Sequence, residues 1–265
     1  MRVLTWNLWW RFGDWRARQD AILSVLRTER PDVCGLQEVW AEPDRNQAAV
    51  LAAELDMHWA WSPSPAAHLW QRRTGEHSVG AGNAVLSRWP IGGSAIASLP
   101  GGDGRTVLHA RIDAPSGPVP FFTTHLHSPP AGSAVRVEQV AAMARFVAQH
   151  TGPEHPAVVT GDCNAEPDSD ELRLLGGRLT APAADGQVLV DAWRFTSGDD
   201  PGYTWDVRNP HTRAFGLPSS RIDYVLVGLP RAARGTVKRA YVSGNVPVDG
   251  VWPSDHAAVL ADLKD

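Results

Sequence analysis

Short apolar runs rich in β-branched residues recur along this chain, and most of them close on a polar side chain. Runs of that length, bounded by turn formers, read as strands. Val3 to Leu8, Val33 to Val39, Gly80 to Ser87, Arg105 to Ile112, Val119 to Thr124, the run opening at Val158, Arg221 to Val227, Val237 to Val242 and Ala257 to Leu263 fit the pattern. Helical spacing appears over Trp15 to Arg30, Asn46 to Leu55, Ser133 to Gln149 and Asp170 to Leu175. In the first of these, Ile22, Val25 and Leu26 share a face that excludes Arg16, Gln19, Asp20 and Arg27, and Pro31 ends it. In the third, Val137, Val140, Ala141 and Phe146 suit a buried side. His58 to Trp70 reads as a short strand and a variable loop, and the stretch from the end of the fourth helix to Tyr203 as loop-rich. Strands in adjacent runs separated by few helices favour an α+β or layered architecture over a strictly alternating parallel sheet. We find no repeat, low-complexity linker or composition shift, so residues 1–265 are expected to form one domain, acting as a monomer.

Composition changes this picture mainly by exclusion. A formal net charge of −4 provides no global basic field to draw nucleic acid, although a local basic cleft would still serve. Lys is scarce relative to Arg, and there is no dense basic run. No run approaches the ~20 apolar residues of a membrane span, and the N-terminus has no signal-peptide pattern. The two cysteines, Cys34 and Cys163, lie in apolar runs and form no disulfide framework. These features together place the protein in the cytoplasm.

The candidate chemistry sits at the ends of the strands. Asp162 and Asn164 close the run that opens at Val158 and would leave on one face if strand geometry persists, while an Asx turn is the plainer alternative. Glu38 lies within an apolar strand, where a charge is costly without a partner. Asn7, Asp223 and Asp255 also stand at or inside apolar runs, and His125 and His256 join them. Oxygen-rich ligation suits Mg²⁺, with Mn²⁺ as the alternative, and the absence of C-x-x-C and H-E-x-x-H argues against zinc. Most of the ten histidines should be surface residues. His256 stands out because it follows Asp255 and precedes a strand.

Thr5-Trp6-Asn7, Leu36-Gln37-Glu38-Val39, Thr124-His125-Leu126, Gly161 to Pro167, Tyr203-Thr204-Trp205, Arg221-Ile222-Asp223-Tyr224 and Ser254-Asp255-His256 occur in this order over nearly the whole chain. In this the sequence resembles the endonuclease/exonuclease/phosphatase superfamily of deoxyribonuclease-I-like and AP-endonuclease-like hydrolases. The resemblance implies a four-layered α/β sandwich, two packed mixed sheets flanked by helices, with the active site at one edge. It also implies roles. Glu38 would be the main metal ligand, helped by Asn7 and Asp255. His125 would contact the scissile phosphate. Asp162 and Asn164 would position the attacking water and the phosphate oxygens. Asp223 would orient His256. Cys163 departs from the family, which commonly has an aromatic residue there, and His127 has no role to inherit.

The implied reaction is hydrolysis of a phosphate ester, with either His256 or Asp162 as proton acceptor. The family includes nucleases, sphingomyelinases, inositol-phosphate phosphatases and small-molecule phosphodiesterases, and the fold does not separate them. A non-catalytic binding protein on the same fold is the alternative, but it would need decayed catalytic positions, and none is decayed. Of the 12 tryptophans, Trp9, Trp10, Trp40, Trp205 and Trp252 fall near the motifs. Trp9 and Trp10 are adjacent, so only one should face inward, while Trp205 is expected in the core. The sharpest geometric expectation is a hydrogen bond between Asp223 and His256, against the alternative that Asp223 pairs with Arg221.

Overall fold

The computed structural model describes residues 1–196 and 199–264. Its strands form two six-stranded sheets. One carries β1 (Arg2–Asn7), β2 (Val33–Ala41), β3 (His58–Pro63), β4 (Gly80–Ser87), β11 (Val237–Ser243) and β12 (Ala258–Leu263) in the order β11-β12-β1-β2-β4-β3. The other carries β5 (Ile91–Ser98), β6 (Thr106–Ala114), β7 (Gly117–His125), β8 (Val158–Asp162), β9 (Leu189–Asp191) and β10 (Asp223–Gly228) in the order β5-β6-β7-β8-β10-β9. Both sheets are mixed, with β1 parallel to β2 and β7 parallel to β8.

Alternation along the strands explains the layering. Val3, Val33, Val85, Leu108, Phe121, Val158, Val225 and Val259 form the core between the sheets. Their neighbours point the other way. Leu4, Trp6, Cys34, Leu36 and Leu86 meet Ile22 and Leu26 of helix α1 (Trp15–Glu29) and Leu51 of α2 (Gln47–Leu55). On the far side, Val107, Phe122 and Val159 meet Val140, Met143 and Val147 of α4 (Ser133–His150) and Leu172 of α5 (Asp170–Gly176). The expected four layers are present. At Gly35 the sheets come close together, since a Cβ there would lie 2.1 Å from Thr160 Oγ1. Beside it, Gln37 Nε2 donates to Thr5 Oγ1 and Thr123 Oγ1, tying the sheets together just below the candidate site.

Several expectations need correction. The loop expected after β3 contains α3 (His68–Thr74), whose first residue follows Ala67 with no side-chain cap. Ile91–Ser98 is an edge strand that the sequence reading missed, because its Gly, Ser and Ala residues leave it largely exposed. The loop-rich stretch holds β9 and a 3₁₀ turn, Ala192–Phe195. Short α6 (Pro210–Arg213) follows. The buried side of α4 is rotated from the expected one: Val137 and Ala141 are only half-buried, while Arg136 and Gln139 are buried. Those two polar groups are satisfied, Arg136 by Glu171 at 2.8 Å and Gln139 by Pro100 O and Asp103.

Candidate active site

Strand register assembles half of the site. Asp162 ends β8, and its register partners are His125 on β7 and Asp223 on β10. Three functional side chains therefore stand in one row across the second sheet. Asn7 ends β1 in the facing sheet and reaches across, donating from Nδ2 to Asp162 Oδ2 at 3.0 Å. His256 arrives from the turn before β12. The Ser254 hydroxyl fixes that turn by donating to Asn7 O at 2.6 Å and accepting from the His256 backbone N–H at 3.2 Å. Trp6 Nε1 holds the His256 carbonyl at 2.9 Å, and the Trp205 ring meets the His256 ring edge-on at 5.1 Å.

The expected dyad is present. Asp223 Oδ2 lies 2.8 Å from His256 Nδ1. Arg221 instead pairs with Asp191 at 2.8 Å, a carboxylate at the end of β9. Thr204 Oγ1 accepts from the backbone N–H groups of Ile222 and Asp223, which aims the start of β10 at the site.

Asp162 Oδ2 is the point of convergence. His125 Nε2 lies 3.3 Å from it and His256 Nε2 3.8 Å. Burial pushes the Asp162 carboxyl up to about 7, with Asp223 adding to the effect and His256, Asn7 and Asn164 opposing it. Burial also holds His125 well below the ordinary imidazole range, reinforced by Arg105 and His256. For His256 burial acts in the same direction, but Asp223, Asp162 and Asp255 outweigh it and hold the imidazolium well above that range.

Asn164 is not on the continuing face of a strand. β8 stops at Asp162, and Asn164 adopts φ 48°. Its backbone N–H donates to Asp162 Oδ1 at 2.9 Å, so the Asx turn is real, and it fixes the Asp162 carboxylate. The Asn164 amide nitrogen donates to Leu126 O at 3.2 Å.

Glu38 sits differently. The pairing of β2 with β4 shifts register between Leu36 and Val39, and Glu38 within that bulge has φ 52°. A left-handed non-glycine residue in a bulge re-aims a side chain at a cost of order 1–3 kcal/mol. Glu38 Oε1 stops 3.9 Å from His125 Nδ1, and the buried Oε2 has no hydrogen-bond partner. Asp255 is buried nearby. Burial pushes it up to about 7, with Glu38 adding to the effect and His256 and Arg18 opposing it. Asn7 Oδ1 accepts from Trp9 N at 2.9 Å.

An orphaned carboxylate oxygen beside a second buried acid is a donor set that fits a hard divalent cation. Asp162, Asp223 and His256 also place one ligand atom each within 4.8 Å of one another. That cluster fits a cation less well, because His256 already holds Asp223 and its imidazole is kept protonated.

The sequence reading missed one organising residue, Arg18. It is buried on α1 and donates to the carbonyls of Leu8, Trp9, Trp10, Phe12 and Pro253. It thereby ties the loop after Asn7 to the loop before Asp255. Within the first loop Trp9 and Trp10 take φ 57° and 34°, and Trp10 is fully buried, whereas Trp9 is half-buried against His211. His127 is a brace, its Nδ1 lying 2.6 Å from Asp103 Oδ2. Cys34 and Cys163 are buried free thiols.

Among the described residues no helix is long and apolar enough to cross a membrane. Among curated proteins, the whole chain is 27% identical over 286 residues to a Drosophila melanogaster protein named "Putative neutral sphingomyelinase", and it spans 60% of that protein's length. Among solved structures, an endonuclease/exonuclease/phosphatase from Beutenbergia cavernae matches all of the chain and 71% of its own, with a TM-score of 0.72 and 29% identity. D. rerio TDP2 complexed with a single-strand DNA product shares the fold at a TM-score of 0.79 and 19% identity, covering 100% of this chain and 99% of that one. The human Nocturnin catalytic domain with bound sulfate does so at 0.77 and 20%, covering 100% and 94%. A family model matches residues 4–256, nearly the whole length and every residue of the site, and the chain belongs to the endonuclease/exonuclease/phosphatase family.

Proposed function

We propose that this protein is a divalent-metal-dependent phosphodiesterase. The observation that carries the reading is the meeting of Asp162 Oδ2 with the Nε2 atoms of His125 and His256, beside a buried Glu38 oxygen with no partner. Glu38 would hold the cation, Mg²⁺ or in its place Mn²⁺, with Asp255 and Asn7 beside it. When bound, such an ion polarises a phosphoryl oxygen and offsets developing negative charge.

The chain's own groups divide the remaining work. Asp162 is the proton acceptor for the attacking water, since its carboxylate is raised towards neutrality and therefore basic enough at working pH. His256 is the weaker candidate for that role, because three acidic neighbours keep it protonated. It serves instead as a charged donor to the phosphoryl oxygens, oriented by Asp223 through Nδ1. His125, held neutral, and the Asn164 amide contribute further hydrogen bonds there. A non-catalytic role is disfavoured, because every position of this set retains a side chain competent for its task.

The relative named for sphingomyelin cleavage aligns over the whole chain and favours a phospholipid headgroup diester among the substrates to try first. Nucleic acid is the second, on the fold shared with the TDP2–DNA complex. The test is turnover of bis(p-nitrophenyl) phosphate with Mg²⁺ or Mn²⁺, with and without chelator, followed by sphingomyelin, plain and abasic DNA, and phosphorylated inositols. Metal-dependent release of p-nitrophenol supports the reading. No turnover of bis(p-nitrophenyl) phosphate, sphingomyelin or DNA with either metal would overturn it, and hydrolysis of the phosphorylated inositols alone would make the protein a phosphomonoesterase.

A further inference from the structure

Asn7 and Glu38 reach the site from different strands, and each is followed four residues later by one member of an ion pair, Arg11 after Asn7 and Glu42 after Glu38. Arg11 Nη2 lies 2.7 Å from Glu42 Oε1. Its other arm, Nη1, donates to Glu76 Oε2 at 3.0 Å, in the segment that leads into β4. The guanidinium carbon also lies 4.2 Å from the centre of the Trp15 ring and 4.4 Å from that of the Trp40 ring. Arg11 is buried, whereas the two glutamates keep part of their surface in water. One side chain thereby joins three segments: the loop after β1, the end of β2 and the entry to β4.

Those three segments enclose the strained part of the backbone. Glu38, Trp9 and Trp10 are all left-handed, and non-glycine residues hold that conformation only where their surroundings over-determine it. Two bonds join the loop to the bulge directly, Leu8 N donating to Gln37 O and Trp10 N to Glu38 O, both at 2.9 Å. Trp10 Nε1 donates to Gly80 O at 2.9 Å, where β4 begins opposite Ala41. Arg11 closes the far end of this seam. It grips β2 beyond the bulge through Trp40 and Glu42, and the approach to the partner strand through Glu76. Its Nε is buried without a hydrogen-bond partner, so two carboxylates and two indole rings place the group, and not a completed set of hydrogen bonds.

We infer that Arg11 is a positioning residue for the cation site, presetting the separation of Asn7 and Glu38 so that both meet one ion without the bulge relaxing. The inference rests on the reading that Glu38 and Asn7 hold the cation. A guanidinium suits the place because it is flat enough to lie on indole rings while giving separate arms to two carboxylates, which an ammonium does not match. The sign of the effect separates positioning from plain electrostatics. A positive charge near a cation site opposes the ion, so an arginine acting only through its charge would weaken metal binding, and its removal would strengthen it. Removing a positioning residue does the reverse. Residues that orient metal ligands contribute about 10- to 100-fold in metal affinity.

The experiment titrates Mn²⁺ calorimetrically into the wild type, Arg11→Met, Arg11→Lys, Glu38→Gln and the surface control Arg111→Gln, with thermal melts to confirm folding. The control removes a half-exposed arginine paired to Asp113 on β6. Arg11→Met keeps apolar bulk against the indole rings and loses both ion pairs. It should bind Mn²⁺ about 10-fold more weakly or worse, with Arg111→Gln unchanged. Arg11→Lys keeps the charge but lacks the second arm, so its affinity should fall between those of the wild type and Arg11→Met, and it carries the test if the methionine variant does not fold. Turnover of bis(p-nitrophenyl) phosphate by the folded variants should be lost at limiting Mn²⁺ and return as Mn²⁺ saturates, because the residues around Asp162 are untouched. A folded Arg11 variant that binds Mn²⁺ as tightly as the wild type, or more tightly, overturns the inference. If Glu38→Gln loses Mn²⁺ affinity while the Arg11 variants keep it, the positioning role falls and the metal reading stands. If Glu38→Gln binds as the wild type does, the metal reading falls and takes the positioning role with it.

Discussion

The two halves of the candidate site are built in opposite ways. The half around Asp162 is ordered by bonds already made: register brings His125 and Asp223 level with Asp162, Asn7 and Asn164 hold its two oxygens, and Asp223 grips His256. Among the described residues of this half, Asp223 Oδ1 and the Nε1 of Trp205, which packs on His256, have no hydrogen-bond partner. The half around Glu38 is ordered by backbone strain and by a bond not made, with a left-handed bulge residue and an orphaned carboxylate oxygen. A region whose acids and imidazoles already hold one another is suited to proton transfer and orientation. A region with an unpaired, buried carboxylate oxygen beside a second buried acid is suited to a cation.

The largest effect expected from breaking this contrast is on Glu38. Glu38→Gln should cut metal-dependent turnover on the order of 10³-fold, the size of several kcal/mol of lost charge stabilisation, while the melting temperature stays level or rises. Steady-state kinetics at limiting and saturating Mg²⁺ check this, and near-wild-type turnover at both would remove Glu38 from the metal site. On the other half, Asp223→Asn should cost on the order of 10²-fold. The double variant Asp223→Asn/His256→Ala should be little worse than His256→Ala alone, because the pair acts as a unit. Independent multiplication of the two losses would mean that something other than Asp223 orients His256.

How much of this was legible in the sequence follows from the same contrast. Asn7, His125, Asp162, Asp223 and His256 stand at ends of apolar runs, and polar residues in such places are conspicuous because burying them has to be compensated. Arg18 was not legible as an organising residue. A charged residue in an amphipathic helix reads as solvent-facing, and only the tertiary structure shows that Arg18 is spent on five backbone carbonyls. The bulge at Glu38 breaks the period-2 pattern that sequence reading relies on, and β5 carries too little apolar surface to announce itself.

A smaller effect concerns stability. Burial raises Asp255 from 3.8 to about 7 in the metal-free protein, so the native state holds that proton more tightly than the unfolded chain. Its contribution to stability is complete below the unfolded value and is lost as pH rises through about 7. Asp255→Asn has no such proton to lose. In chelator, the variant should therefore gain on the wild type as pH rises from 4 to 8, by a few kcal/mol at most, with about 4 as the upper bound. Denaturant melts across that range check it, and a gap that stays flat with pH would show that Asp255 is not held in the raised state. The smallest effect should come from the thiols. Burial pushes both Cys34 and Cys163 up, so a thiol reagent should find neither in the native protein and both after unfolding without reductant. Cys163→Ala should leave turnover within about 2-fold, in keeping with its place in the core.

The central claim, that the cation belongs to the Glu38 half and the acid–base chemistry to the Asp162 half, is tested most directly by titrating Mn²⁺ calorimetrically into the wild type, Glu38→Gln and Asp223→Asn, all shown folded by melting. The account predicts that Glu38→Gln loses Mn²⁺ affinity by 10-fold or more, while Asp223→Asn binds as the wild type does. If Asp223→Asn abolishes binding and Glu38→Gln leaves it intact, the ion sits in the cluster of Asp162, Asp223 and His256 instead, and the division of labour argued from the two halves is wrong.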